Sequence, residues 1–308
     1  MFDVITLGSA TLDVFLRSSK FQLSNKNGAV MLCETFGEKI DVEQAAVSTG
    51  GAASNTAVGF ARMGFATACV TETGTDFAGE IVLHDLKTEG VDASLLLAIP
   101  TEQTAVSALL ISEDGARTAL VFRGASRNMT AAMIDWSKIQ AKRLHLASIG
   151  NAELVIKTLE HCKQQGIKVS WNPGNWEIEQ IRSGALKPDW SAVDILCLNR
   201  GEMANMSGME LGRDEAWTDA WSFPGPRVVI VTDGKKGGQY LIDGVKKSYI
   251  IEDIPTVQET GAGDAFICGV VSGQLLGETL EDSIGRGKKN AASVVQQMGA
   301  KKGLMRKQ

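Results

Sequence analysis

Cysteine is scarce and scattered in this chain: Cys33, Cys69, Cys162, Cys197 and Cys268 make five, an odd count without close pairs. That excludes a disulfide framework and a zinc site of the paired-cysteine kind, and leaves core thiols as the plain reading. Histidine is scarcer still, three residues, with His84 and His161 in helical stretches and His145 in a strand. None has the carboxylate or cysteine spacing of a metal site or catalytic triad, so all three read as structural. Proline numbers only six in 308 residues and no low-complexity tract occurs, which excludes collagen-like and proline-rich architectures. A basic excess is also missing. Lys+Arg is 31 against 36 Asp+Glu, a net charge of -5, so an extended nucleic-acid groove is not expected. No run approaches the ~18 uninterrupted apolar residues of a membrane span. The opening Met1-Phe2-Asp3 lacks the basic flank and length of a signal peptide, and cytoplasmic residence is the expectation. What the chain has in quantity is glycine, 33 residues, within an ordinary globular composition of 44% hydrophobic and 22% charged residues.

The pattern along the chain alternates strand and helix. Residues 4–7 read as a short buried strand stopping at Gly8, and 54–63 as a helix that Ser54 can cap and Gly64 closes. Val70 ends a second strand. Asp76 can cap a helix running to Glu89, with Ile81, Leu83 and Leu86 as its apolar positions and Gly90 as its stop. Strands over 143–147, 167–171 and 194–198, with a helix over 153–165, complete the signature of a layered α/β domain with a mostly parallel sheet.

Two segments interrupt it. Between Phe15 and Thr49 there are strand-like stretches at 29–34 and 41–48 around a turn at Gly37-Glu38. Residues 104–123 read as a hairpin turning at Glu113-Asp114-Gly115. Together they make either a small separate β-sheet, placed to cover a ligand, or an extension of the main sheet's edge.

Glycines cluster at Gly50-Gly51, at Gly234 with Gly237-Gly238, and at Gly261 with Gly263. The third cluster, Thr260-Gly261-Ala262-Gly263-Asp264-Ala265-Phe266, runs straight into an apolar helical stretch over 267–276. Small residues there leave backbone N–H groups at a helix start, where the dipole favours an anion, and phosphate suits that geometry. Asp264 is then either a general base acting on a hydroxyl beside the phosphate or an ordinary first-turn carboxylate. Neither a GxxxxGK[ST] loop nor a GxGxxG fingerprint is present, since the first strand is followed by Gly8-Ser9-Ala10-Thr11-Leu12-Asp13; hydride transfer is disfavoured.

Gly50-Gly51-Ala52-Ala53-Ser54-Asn55-Thr56-Ala57-Val58-Gly59-Phe60-Ala61-Arg62-Met63-Gly64 resembles the amino-terminal signature of the ribokinase-like (PfkB-type) carbohydrate kinases, in its fructokinase-type form. The segment from Thr260 to Phe266 resembles the same family's carboxy-terminal signature, and the two stand in the family's order. The resemblance extends from the first strand to about Gly299. It implies a three-layer α/β/α sandwich, one domain over 1–308, with a β lid from about 14–48 and 99–125. It further implies ATP and Mg2+, with Asp264 as catalytic base and Gly261, Ala262 and Gly263 forming an anion hole. Asn199-Arg200-Gly201-Glu202 matches the family's NxxE element, in which Asn199 and Glu202 organise magnesium, Glu202 through water; on its own the tetrapeptide reads as a solvated helix start. Thr232, Gly234 and Gly237 resemble the strand and turn along the nucleotide, and Asn290 a position lining the adenine pocket or else a surface helix residue. Asp13 matches a sugar-hydroxyl ligand, and Gly50, Gly51 and Asn55 face the substrate. Arg123 meets an anionic or hydroxyl-rich substrate or is a solvated strand end. Trp171-Asn172-Pro173-Gly174-Asn175 borders the substrate or is a simple loop.

Two departures stand out. Where the family often carries Asp-Thr-Thr, with the Asp helping to hold a monovalent cation, this chain has Gln258-Glu259-Thr260, which puts potassium activation in doubt. Ala52 stands where ribokinase proper has a Lys, which weakens ribose as acceptor. The expected activity is phosphorylation of a primary hydroxyl on a small sugar or sugar acid. A nucleoside kinase of the same fold and a non-catalytic regulator are the alternatives. A lid with one exposed apolar face would favour a homodimer built lid to lid.

Overall fold

The computed structural model describes residues 1–26, 29–113, 117–208 and 226–307. Six strands, β1 (Phe2–Leu7), β6 (Thr67–Val70), β11 (Ala141–Leu146), β12 (Lys168–Trp171), β13 (Val193–Asn199) and β14 (Val228–Thr232), run parallel. Antiparallel β15 (Gly238–Ile242) and β16 (Val245–Tyr249) complete a sheet of order β16-β15-β14-β13-β12-β11-β1-β6. The parallel strands bury both faces, which is why they read as apolar runs rather than alternations. Successive residues serve opposite layers. Val4, Ile195, Val228 and Ile230 pack with Phe60, Phe266 and Ile267 on one face; Ile5, Leu196, Val229 and Val231 pack with Leu154, Ile178 and Met203 on the other. The first layer holds α1 (Ala52–Arg62), α6 (Ala262–Leu275) and α7 (Leu280–Val295). The second holds α3 (Ala152–Gln165), α4 (Asn175–Ser183) and α5 (Arg200–Ser207). Each large side chain so buried contributes about 1.5–3 kcal/mol. Among the described residues, no helix is long and apolar enough to cross a membrane.

The two interruptions join into a separate four-stranded sheet of order β10-β9-β2-β5, from β2 (Thr11–Arg17), β5 (Gln44–Gly50), β9 (Ala105–Ile111) and β10 (Arg117–Phe122). The alternative of an extended main-sheet edge is thereby excluded. The expected hairpin forms, with Arg117 opposite Ile111 and Phe122 opposite Val106; its turn residues Asp114 and Gly115 lie outside the described residues. The first interruption differs from expectation. It begins earlier, at Thr11, because β2 pairs parallel to β9 and antiparallel to β5, contacts between distant segments that no local pattern displays. The stretch at 29–34 does not turn at Gly37-Glu38 into the next strand; β4 (Ala29–Cys33) pairs instead with β3 (Gln22–Lys26).

Some helix starts are capped by a side chain, and others, α1 among them, are not. Asp76 caps α2 (Phe77–Thr88), accepting from the Gly79 N–H at 2.9 Å, as expected. Its buried stripe, however, is Ala78, Gly79, Val82 and Leu86, with Ile81 and Leu83 only half-buried. Ser54 does not cap α1. The helix begins at Ala52 behind Gly51, whose φ of 87° gives the turn from β5, and the Ser54 hydroxyl is used elsewhere.

Candidate active site

The site lies beyond the carboxyl ends of the parallel strands, where ligands of open α/β sheets bind. Two signatures far apart in sequence meet there: Asn55 Nδ2, from the first turn of α1, donates to Asp264 Oδ2 at 2.8 Å. Asp264 is the third residue of α6 and half-buried. Burial pushes its carboxyl up to about 6, while the Asn55 bond and the charge of Lys301 pull the other way. Such a carboxylate is ionised near neutrality yet basic enough to take a proton, the property a general base needs. Asn55 Oδ1 is buried without a hydrogen-bond partner.

Around Asp264 the loop is built from tight contacts. Gly261, the N-cap of α6, has φ 83°, and a Cβ there would lie 2.7 Å from Ala300 Cβ. Gly263 is exposed with open space where a side chain would go. The N–H groups of Gly263 and Asp264, in the first turn, have no intrahelical acceptor and suit an anion. Ala262 is different from its expected role, since its N–H already reaches the Glu259 carbonyl at 3.2 Å. Gln258 anchors the loop from behind: buried at 2% exposure, its amide accepts from Thr260 N and donates to the carbonyls of Thr260 and Gln297.

Asp13 approaches from β2 of the small sheet. It is 6% exposed, accepts from Thr11 Oγ1 at 2.8 Å and from the Ser107 hydroxyl, and burial pushes its carboxyl up. Its carboxylate explains Gly50: a Cβ at that position would lie 1.9 Å from Asp13 Oδ2. At Gly51 a Cβ would lie 2.5 Å from the Ser9 carbonyl oxygen. Thus Asp13, Gly50, Gly51, Asn55 and Asp264 form one constellation.

At the far side, Asn199 and Glu202 form a capping box at the start of α5. Asn199 Oδ1 accepts from Glu202 N at 2.9 Å and Glu202 Oε2 from Asn199 N at 2.7 Å. Burial and the charge of Asp264 push the Glu202 carboxyl up. A carboxylate whose proton affinity is raised by burial and by a neighbouring acid suits a nearby hard cation, and so sparse a donor set suits magnesium that keeps its waters. Among the described residues no cluster of three or more His, Cys, Asp or Glu could hold a metal by itself. The Arg200–Asp233 ion pair, 3.0 Å, ties this helix start to the turn after β14, which carries Thr232, Gly234 and Gly237. The turn closes by the Asp233 N–H donating to the Gly237 carbonyl at 2.8 Å, and Gly237 passes so near Tyr249 that a Cβ would lie 2.1 Å from its carbonyl oxygen.

Two expected residues are not brought to this constellation. Asn290 is neither a surface residue nor free to line a pocket: it is fully buried, donates to Ala265 O at 2.7 Å and accepts from Met305 N at 2.9 Å, a strut between α6 and the carboxy-terminal segment. Arg123 is exposed at the end of β10, and among the described residues no ion pair joins it to an acidic side chain.

Sequence reasoning missed two buried groups. Glu177, fully buried, accepts from Ser148 Oγ, Ile149 N, Gly150 N and Gly174 N, and so fixes the loops following β11 and β12. Its place three residues into α4, after Gly174, was the available signal. Lys301 is the second, and nothing in the sequence marks it as buried.

The fold with this constellation defines a class, the ribokinase-like α/β/α kinases. The chain matches Arabidopsis thaliana ribokinase complexed with ribose and ATP at a TM-score of 0.81 and 21% identity, covering 99% of this chain and 96% of that one. Burkholderia thailandensis nucleoside kinase in complex with inosine matches at 0.79 and 15%, covering 98% and 94%. Sequence similarity narrows the class. Staphylococcus aureus ribokinase is 26% identical over 96% of this chain and 94% of its own length, and Solanum lycopersicum fructokinase-2 is 28% identical over 76% and 73%. The chain belongs to the pfkB family of carbohydrate kinases, whose model matches residues 1–307, and is a phosphotransferase with an alcohol group as acceptor.

Proposed function

We propose that the protein transfers the γ-phosphoryl group of ATP to a primary hydroxyl of a sugar or sugar acid, with Asp264 as general base. The observation that carries this is the Asn55–Asp264 hydrogen bond, which sets a carboxylate of raised proton affinity between the substrate-facing signature and a helix start with free N–H groups. Asp13 holds an acceptor hydroxyl, and Asn55 Oδ1, buried and unpartnered, is available to accept from a second. Asp264 removes the proton as the acceptor oxygen attacks the γ-phosphorus, and the bond to the departing ADP oxygen breaks. The N–H groups of Gly263 and Asp264, with those of Gly261 and Ala262 once the latter leaves the Glu259 carbonyl, stabilise the charge on the transferring group. The turn at Thr232, Gly234 and Gly237 runs along the nucleotide. Glu202 and Asn199 would hold magnesium through its waters, and the ion, when bound, would neutralise phosphate charge.

The four-stranded sheet acts as a lid that excludes water and suppresses ATP hydrolysis, with Arg123 at its mouth meeting the acceptor. Gln258 makes a monovalent cation unnecessary, because its amide already joins the Thr260 and Gln297 carbonyls. A coupled assay over sugars, keto-deoxy sugar acids and nucleosides, run in potassium and in sodium salts, identifies the acceptor and tests this. In the same assay Asp264→Asn is expected to lower kcat by about 10²–10⁴-fold with ATP affinity nearly unchanged. Near-normal turnover by that variant sinks the base assignment.

A further inference from the structure

We propose that Lys301 is a positioning residue of the phosphoryl-transfer site. From the carboxy-terminal segment its ammonium clamps the β5–α1 junction that carries Gly50, Gly51 and Asn55, and supplies a fixed positive charge to the Asp264 carboxylate. The proposal rests on Asp264 being the base.

The geometry is specific. Lys301 is 4% exposed, and its ammonium donates to Thr49 Oγ1 at 2.7 Å, Ser54 Oγ at 2.6 Å and Asp85 Oδ2 at 2.8 Å. Three protons meet three acceptors, so the group is fully satisfied. Thr49 immediately precedes the Gly50-Gly51 pair and Ser54 immediately precedes Asn55; the clamp therefore grips both sides of the substrate-facing turn. Thr49 closes the network by donating to Asp85 Oδ2 at 2.5 Å. This use of Ser54 is why it does not cap α1.

The segment around Lys301 is itself held. Its carbonyl accepts from Arg62 Nη1 at 2.5 Å, and Lys307 N donates to Arg62 O at 2.7 Å. The preceding Ala300 presses on Gly261, the cap of the anion-binding helix. One short stretch of chain thus touches the turn that holds the acceptor and the turn that holds the phosphoryl group.

Burying a full charge is costly, and a structural tie between two hydroxyls would not need one. Here the charge faces Asp85 and Glu89 from the α2 region and Cys69 from β6, and it pulls against the burial that raises the carboxyls of Asp13 and Asp264. Asp264 faces Asn55 from α1, Glu202 from α5, Cys197 from β13 and Cys268 within its own helix. Lys301 is the cation among these groups, and it opposes the desolvation that would otherwise keep the base protonated near neutral pH.

The test compares Lys301→Met, Asp85→Asn and the double variant Lys301→Met/Asp85→Asn in the full chain, with Asp264→Asn as reference. Read-outs are the pH dependence of kcat/KM for the acceptor, KM for acceptor and for ATP, and circular dichroism. Loss of Lys301 is expected to move the acid limb to higher pH by ~0.5 unit or more. Acceptor KM is expected to rise by about fivefold or more with KM for ATP little changed. Asp85→Asn alone leaves the limb in place. Should Lys301→Met fail to fold, the double variant decides, because it leaves no unpaired buried charge; should that also fail, Lys301→Gln/Asp85→Asn, which retains an amide donor, takes its place. A folded variant lacking Lys301 with an unmoved acid limb overturns the proposal. Normal turnover by Asp264→Asn would instead overturn the base assignment, so the two failures are distinct.

Discussion

At the scale of single residues, the Asn55–Asp264 pair makes the clearest prediction. Asp264 is lifted to about 6 by burial, with Asn55 restraining the rise. The carboxylate acts as base only when ionised, so kcat/KM should fall as pH drops through about 6, in the free enzyme. Asn55→Ala removes a bond to the charged form. The acid limb should therefore move to higher pH, and maximal turnover should also drop; a limb that moves to lower pH, read in the same pH series, contradicts the geometry. Much at this scale was legible in the sequence. The motifs singled out Asp264, Gly261, Gly263, Asp13 and Asn55, and the structure brings Asn55 to Asp264 and Gly50 to Asp13, a convergence that a first-turn carboxylate alone does not announce. Asn290 and Lys301 were not legible, because an Asn in a helix and a Lys near a chain end acquire their roles only from what packs on them: Ala265 and Met305 in one case, Thr49, Ser54 and Asp85 in the other.

At the scale of elements, the β5–α1 turn shows how a strand end becomes a binding surface. Gly50 is paired with Thr11 in the small sheet, and Gly51 starts the helix. Gly50 needs no unusual backbone; it is glycine because Asp13 Oδ2 and Thr11 Oγ1 fill the space a side chain would take, at 1.9 Å and 2.8 Å from the added Cβ. Gly50→Ala should displace the Asp13 carboxylate while leaving the Asp264 loop intact. The expected outcome is an acceptor KM raised by about tenfold or more with KM for ATP within about twofold of the parent, measured by initial rates. The elements themselves were read unevenly. The parallel strands expected over 4–7, 143–147, 167–171 and 194–198 announced themselves by apolar runs, and the helix expected over 153–165 is observed as α3, Ala152–Gln165. β2 and its partners did not, because its pairing with β9 joins residues such as Asp13 and Ser107 that lie far apart in sequence, and local periodicity carries no information about that register.

At the scale of the whole molecule, the small sheet has two faces of different character. Asp13, Phe15, Ser107, Leu109 and Ile111 alternate onto the inner face, where Phe15, Leu109 and Ile111 pack with Ala46 and Met298. The register places Val47, Val14, Ala108 and Leu120 in one row on the other face, with Phe122 on the same side. Val47 is 61% exposed, Leu120 59% and Phe122 51%, and among the described residues β5 and β10 are the open edges. An apolar sheet face of this kind, with unpaired edges, is an aggregation hazard in a monomer and a self-complementary surface in a two-fold dimer. If the small sheet acts as the proposed lid, a second copy covering its outer face would also constrain the movement of that lid. Light scattering after size exclusion should then give twice the 32.8 kDa chain mass. Leu120→Lys/Phe122→Lys, which places charge on the face without touching the inner cluster, should yield a folded monomer with a raised acceptor KM. A parent protein that runs as a monomer at micromolar concentration removes the dimer, and with it the expectation that these two substitutions affect the acceptor.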